Sequence, residues 1–400
     1  MEPKQADLFS HQQIDLTTLK KTAYNLRWAE VREGVIPLTS ADSDFPCAEE
    51  IREGLCRYIQ RGYFSYVPKT GLPEVRESIA RQLNLRKAEH VDPAFLLPID
   101  SAARGMYTIA RAVLQPGDEM IVFDPVDFLF AQAARAAGAQ PVLFHARMRE
   151  GRMDLRELPS YITPRTRMIG LCNPHNPYGA LYTEEDLRLL LDLAETHDLY
   201  IMNDEIWSDI IYPPAKFRSI LSVSPERNGR VLSVYGFSKA FSIAGLRSGC
   251  VYAADAAMYQ KLLEASDVLT TAGGISSLSQ IAAQICMDQC YGWNEAFVAR
   301  MQENRDYAQA RIAEMPGITC HKPDATFLLF PDITGTGLSS QAVVDYLERE
   351  AGLALVPGTA QFFGPGAEGH VRICLATSHE ILEEAMDRLE RGLRQLAAGN

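Results

Sequence analysis

Between Ala94 and Ala254 the chain alternates short apolar runs with amphipathic stretches, and nothing else in it limits the fold so strongly. The runs are AFLLPI, EMIVF, PVLFH, RMIGLC, LYIM, RVLSVY and GCVYA, all rich in Val, Ile, Leu and Phe. Between them lie segments such as 183–197, where Leu187, Leu190, Leu191 and Ala194 recur at helical spacing behind the candidate N-cap Thr183. Strands alternating with helices predict an α/β, doubly wound core around a mostly parallel sheet of seven strands. After about Asn294 the pattern changes to a long amphipathic helix through Arg311, a strand-like TFLLF, a helix from Ser339 to Glu350, a strand-like HVRICLA and a terminal helix from Glu380. This reads as a smaller α+β domain.

Composition excludes several classes. The chain has 400 residues, 47% of them hydrophobic and 22% charged, enough for a large core and two to three domains. The net charge of −12 is spread along the sequence without a run of five basic residues, which argues against a nucleic-acid partner. Met1 to Thr18 lacks the apolar stretch of a secretory signal. No segment approaches the roughly 18 uninterrupted apolar residues of a membrane helix. Cys47, Cys56, Cys172, Cys250, Cys286, Cys290, Cys320 and Cys374 are scattered, without zinc-type spacing or disulfide density, so a reducing cytoplasm is the expected setting. Cys286 and Cys290 stand four apart on a predicted helix and read as core thiols, and no metal site is expected.

The chemistry centres on GFSKAFSIAGLRSG, Gly236 to Gly249, which follows the run RVLSVY. A neutral amine is needed to form an imine, and desolvation or a nearby cation lowers a lysine's pKa, so Lys239 is a candidate. Arg247 offers a rigid fork for a phosphate dianion and Ser238 a hydroxyl. Alone, the stretch reads better as a surface lysine in a loop. Three further segments change that. In LYIMNDEIWSDI, Asp204 follows directly on an apolar strand; its plain alternative is a helix N-cap. In LCNPHNPYG, Asn176 sits in a Pro-rich turn. In PIDSAARGMYTIARAV, Ser101, Ala102 and Ala103 begin a predicted helix whose free N–H groups can bind an anion. An amine, a carboxylate, an amide and an anion cradle are the groups that pyridoxal 5′-phosphate (PLP) requires.

The set resembles the fold type I PLP-dependent enzymes of aminotransferase class I/II over nearly the whole chain. The family pattern of Asn-Pro-x-Gly, an Asp about 28 residues on, Ser-Lys, and an Arg eight further is met by Asn176, Asp204, Ser238-Lys239 and Arg247. The resemblance implies a large PLP-binding domain over 46–293, a small C-terminal domain over 294–400, and an N-terminal segment 1–45 that joins the small domain. It implies a Schiff base on Lys239, which then moves protons during catalysis, and Asp204 against the pyridine nitrogen. Asn176 would serve the phenolate oxygen and the substrate. Ser101, Ala102, Ala103, Ser238 and Arg247 would hold the phosphate. VRICLAT maps the α-carboxylate-binding arginine to Arg372, and YVPKTGLPEVR maps to Tyr66 a tyrosine that reaches the neighbouring subunit's phosphate, hence a homodimer with a shared active site. The implied activity is transfer of an amino acid's α-amino group to a 2-oxo acid, as part of cytoplasmic amino-acid biosynthesis.

ADSDFP, DEIWSDI and LVPGTAQFFGPG also resemble the cystathionine β-lyase-like branch, so β-elimination at a C–S bond is the alternative. Ala376-Thr377-Ser378, in place of Cys-Pro-Arg, points back to transamination. Three positions depart from the family: Ser101 stands where Gly is usual, Trp207 where a tyrosine usually serves the phenolate oxygen, and Asp127 where an aromatic ring stacks on the cofactor. Either Asp127 faces the substrate's side chain and favours a cationic or hydrogen-bond-donating amino acid, or the turn is shifted by one residue, with Phe128 on the ring and Asp127 in solvent. Ser43 and Trp28 are further candidates for selectivity. His175 is expected to be a solvent-facing turn residue.

Overall fold

The structure is a computed structural model and describes residues 8–145, 147–149, 151–270 and 272–399; the first seven residues of the N-terminal stretch lie outside the described residues. All seven apolar runs form strands: β1 (Leu96–Ile99), β2 (Glu119–Asp124), β3 (Gln140–His145), β4 (Thr166–Cys172), β5 (Tyr200–Asp204), β6 (Val231–Gly236) and β7 (Gly249–Tyr252). They make one sheet in the order β1-β7-β6-β5-β4-β2-β3. Six strands run in one direction and β7 is antiparallel to both neighbours. The interior strands β2, β5 and β6 are buried almost throughout, as continuous apolar runs require, while β3 is an edge strand with exposed ends. Helix Glu184–Thr196 starts on a capping box, with Thr183 accepting from the Asp186 N–H and the Asp186 carboxylate accepting from that of Thr183. It buries Leu187, Leu190, Leu191 and Ala194.

The reversal of β7 has a local cause. A parallel crossover takes a dozen or more residues and usually a full helix. The link from Gly236 to Gly249 holds only two single turns, Ser238–Phe241 and Ala244–Leu246. The chain therefore doubles back, and Gly249 pairs directly with Gly236. Gly249 is needed for close approach, and Gly236 sits in a tight space. A Cβ on Gly249 would stand 2.7 Å from the Ala102 nitrogen and 2.9 Å from the Ser101 carbonyl carbon, both backbone atoms; one on Gly236 would stand 2.9 Å from Ile206 Cδ1.

Past Asn294 come helix Tyr291–Ile312, an antiparallel sheet of Leu328–Leu329, Val371–Cys374 and Val356–Pro357, helix Ser340–Tyr346 prolonged by a π turn Leu347–Ala351, and the terminal helix His379–Gly399. Ile36–Pro37 pairs in parallel with Leu353–Ala354. The segment before it is fixed by a buried pair in which Arg27 Nη2 and Trp28 Nε1 donate to one oxygen of Asp44, at 2.5 and 2.7 Å. Cys286 and Cys290 are buried in the core. Among the described residues no helix is long and apolar enough to cross a membrane, and no cluster of His, Cys, Asp or Glu could hold a metal ion.

Because the atoms facing Gly249 are backbone, Gly249→Ala is expected to cost about 1–3 kcal/mol, the usual range for overpacking. Urea denaturation checks this, and a midpoint equal to that of the native chain would mean the first turn after Ser101 yields freely.

Candidate active site

The strands aligned in one direction present their C-terminal ends to one edge of the sheet, where ligands bind in open α/β folds. A cavity of about 440 Å³ lies there. Ser101 to Ala103 reach it after β1, Asp127 and Phe128 after β2, Asn176 after β4, Asp204 from the end of β5, and Ser238 and Lys239 after β6. Since β7 is reversed, it contributes the residues before it, Arg247 and Ser248. Arg372 enters from the strand Val371–Cys374.

Lys239 lies in the single turn after β6, and its Nζ donates to the Ala41 carbonyl at 2.6 Å. Burial lowers the pKa of this amine; Asp42 and Asp127 oppose the shift, and Arg372 adds to it. It is not a surface lysine. Asp204 accepts from the Ile206 N–H at 3.0 Å in a turn, so it caps no helix. Burial pushes its carboxyl up to about 7, helped by Asp127 and Glu205 and opposed by the Ile206 N–H and Lys239. Arg372 is buried, with long hydrogen bonds to Asn176 Oδ1 (3.5 Å) and the Thr39 carbonyl (3.4 Å); its Nε has no hydrogen-bond partner among the described residues. A carboxylate entering the cavity would complete this guanidinium. Ser101 caps helix Ala102–Val113 by accepting from the Arg104 N–H at 3.1 Å, which leaves the first N–H groups of the helix at the cavity. Trp207 is buried edge-on against Phe327, with Lys239 Nζ 5.6 Å from its ring centre.

Several expectations need correction. Asp127 does not point to solvent: Asp127 and Phe128 both line the cavity. The turn that holds them is clamped, with the Val126 N–H donating to Phe363 O at 2.9 Å, the Phe128 N–H to Phe362 O at 3.1 Å, and the Gly366 N–H to the Asp124 carboxylate at 2.8 Å. Asp127 Oδ1 accepts from the Leu129 N–H at 3.1 Å, which turns the carboxylate inward, and Oδ2 accepts from Asn176 Nδ2 at 3.0 Å. His175 is fully buried, stacked on Tyr178, and burial lowers its pKa to about 3. Trp28 and Ser43 do not line the cavity, because Trp28 is committed to Asp44. Asn25, Leu26, Ser40, Ala41 and Asp42 line it instead. Of these, only Ala41 and Asp42 lay in a motif that the sequence had singled out, ADSDFP. Tyr66 is almost fully exposed and lies in a different groove with Phe64, Val67 and Ile275.

The residues fit PLP. A desolvated amine, a buried carboxyl whose side-chain hydrogen bond among the described residues comes from a backbone N–H, and a helix start flanked by Ser238 and Arg247 answer the carbonyl, the ring nitrogen and the phosphate of that cofactor. Fold and site together define a fold type I PLP-dependent enzyme.

Comparison with known proteins narrows the class. The model of "Aminotransferase class I and II" matches residues 33–389. The aspartate aminotransferase of Pyrococcus horikoshii is 33% identical over 91% of this chain and 92% of its own. A crystal structure of an aromatic aminotransferase from Pyrococcus horikoshii superposes with a TM-score of 0.85 at 32% identity, covering 91% of this chain and 98% of that one. Cystalysin from Treponema denticola, solved with PLP, superposes at 0.89 over 97% and 99% of the two chains; its identity of 21% reflects a common fold. The chain belongs to the aminotransferase class I and II family. It is a PLP-dependent aminotransferase.

A pH dependence follows from Asp204. Its folded-state pKa of about 7 lies above the ordinary 3.8, so the folded protein holds this proton more tightly than the unfolded chain does. Ionisation then costs stability on the order of 4 kcal/mol, fully felt above pH 7 and relieved as pH falls toward 4. In cofactor-free protein, Asp204→Asn is expected to be the more stable form at pH 8, with the gain shrinking at pH 5. Denaturation at both pH values tests this; a gain independent of pH would contradict it.

Proposed function

We propose that Lys239 holds PLP covalently and then carries the proton between the substrate Cα and the cofactor, and that the two halves of the reaction exchange an amino acid for a 2-oxo acid. The observation that carries this reading is the buried Lys239 amine, its pKa lowered, in one cavity with Asp204. Bound PLP supplies the electron sink that stabilises negative charge at the substrate Cα. Asp204 would keep the proton on the ring nitrogen. Arg247, Ser238 and the N–H groups of Ala102 and Ala103 behind Ser101 would hold the phosphate. Phe128 would serve the ring, and Asn176 and Trp207 the phenolate oxygen. Arg372, with Asn176, binds the substrate α-carboxylate.

The same reading places Tyr66 in the site of a second subunit. Tyr66 is exposed beside the less exposed Tyr63 and Phe64, a cluster of aromatic rings that a homodimer would cover. It also divides the chain at 45/46 and 293/294 into N-terminal segment, large domain and small domain, and puts the enzyme in cytoplasmic amino-acid biosynthesis. Membrane and nucleic acid have no part in it.

Borohydride reduction followed by mass spectrometry should find a phosphopyridoxyl group on Lys239 and none in Lys239→Ala; an adduct on another lysine would overturn the assignment. Arg247→Ala is expected to weaken PLP binding about ten- to hundredfold, the size of one charge-assisted contact, measured by equilibrium dialysis. Mixing holoenzyme with amino acids should yield pyridoxamine phosphate and a 2-oxo acid. Release of pyruvate and ammonia would instead identify β-elimination.

A further inference from the structure

Six charged side chains line the cavity: Lys239, Arg247 and Arg372, against Asp42, Asp127 and Asp204. The proposed roles assign four of them. Lys239 and Arg247 are committed to the cofactor's carbonyl and phosphate, Asp204 to its ring nitrogen, and Arg372 to an α-carboxylate. Two carboxylates, Asp42 and Asp127, remain without a cation once cofactor and substrate are in place.

Asp127 is the one built to meet a ligand. Its hydrogen bonds come from neutral groups, the Leu129 N–H and the Asn176 amide, and the charges that stabilise it are Arg372 and Lys239. Both of those are taken up on substrate and cofactor binding. Desolvation already pushes this half-buried carboxyl up, and as an anion deprived of its cations it costs free energy unless it is paired again or takes up a proton. Among the described residues that line the cavity no further cation is left for the job, and a ligand that carries one would take their place. A dicarboxylic amino acid would do the opposite, adding an anion where two are already unbalanced. The clamped backbone of Val126 and Phe128 keeps the carboxylate from swinging away.

Resting on the aminotransferase reading, we infer that Asp127 is a specificity-determining residue that pairs with a cationic substrate side chain, so that this enzyme acts on basic amino acids such as lysine, ornithine or arginine and disfavours aspartate and glutamate. In this it differs from the aspartate aminotransferase it resembles.

The test is a panel of donors on holoenzyme, lysine, ornithine and arginine against alanine and leucine and against aspartate and glutamate, read both as kcat/KM and as dissociation constants from absorbance titration. The expected order is basic, then neutral, then acidic, with basic exceeding acidic at least tenfold. Asp127→Asn should lower the basic-to-neutral ratio about ten- to hundredfold, the size of one charge-assisted hydrogen bond, and Asp127→Glu should keep part of it. Basic donors no better than neutral ones, or a ratio unchanged in Asp127→Asn, would overturn the assignment. Transfer from neutral or acidic donors alone would sink this inference and leave the aminotransferase reading intact. Absence of transfer from every donor would sink that reading as well.

Discussion

The site depends on the path of one connection. Between Gly236 and Gly249 the chain makes two single turns and no crossover helix, and β7 runs back antiparallel. The reversal puts the start of β7 at the same edge as the ends of the parallel strands, and Lys239 and Arg247 therefore reach one cavity from a single loop. The paired glycines let this loop press against the first turn of helix Ala102–Val113, which supplies the opposite wall. A parallel β7 would have carried Arg247 to the far end of the sheet.

Around that loop the protein has gathered charges that are poorly paired among the described residues. Burial outweighs Lys239 in raising the Asp204 carboxyl, Arg372 has long hydrogen bonds and an Nε without a partner among those residues, and Lys239 is desolvated so that its amine loses protons more readily. Each would be relieved by one group of a bound ligand. The complementarity is electrostatic as well as steric, since the partially solvated alternatives that would relax these groups are closed off by burial.

Much of this was legible in the residues. The strands could be read because fully buried β segments are continuous apolar runs, and Lys239, Asp204, Asn176 and Arg247 because four chemically distinct groups recur in one order at the ends of those runs. What could not be read depends on contacts distant in sequence. His175 resembles any turn histidine until the fold lays Tyr178 over it. The direction of Asp127 is set by backbone hydrogen bonds to residues 362–363, more than two hundred positions away, and Trp28 is withdrawn from the cavity by Asp44. The contribution of Asn25, Leu26 and Ser40 carries no sequence signal, because it rests on where the N-terminal segment is laid down.

The stitch between the two walls of the cavity is made of peptide groups: the amides of Val126, Phe128 and Gly366 all cross from one sheet's territory to the other's. Phe362 and Phe363, which line the cavity, are held there by their carbonyls, and the Phe363 ring is also packed against Phe330 and Val356. A ligand too bulky for the space would have to part these hydrogen bonds as a group, at a combined cost well above that of shifting one side chain. The upper bound on ligand size is thus written in the backbone as much as in the side chains that line the chamber.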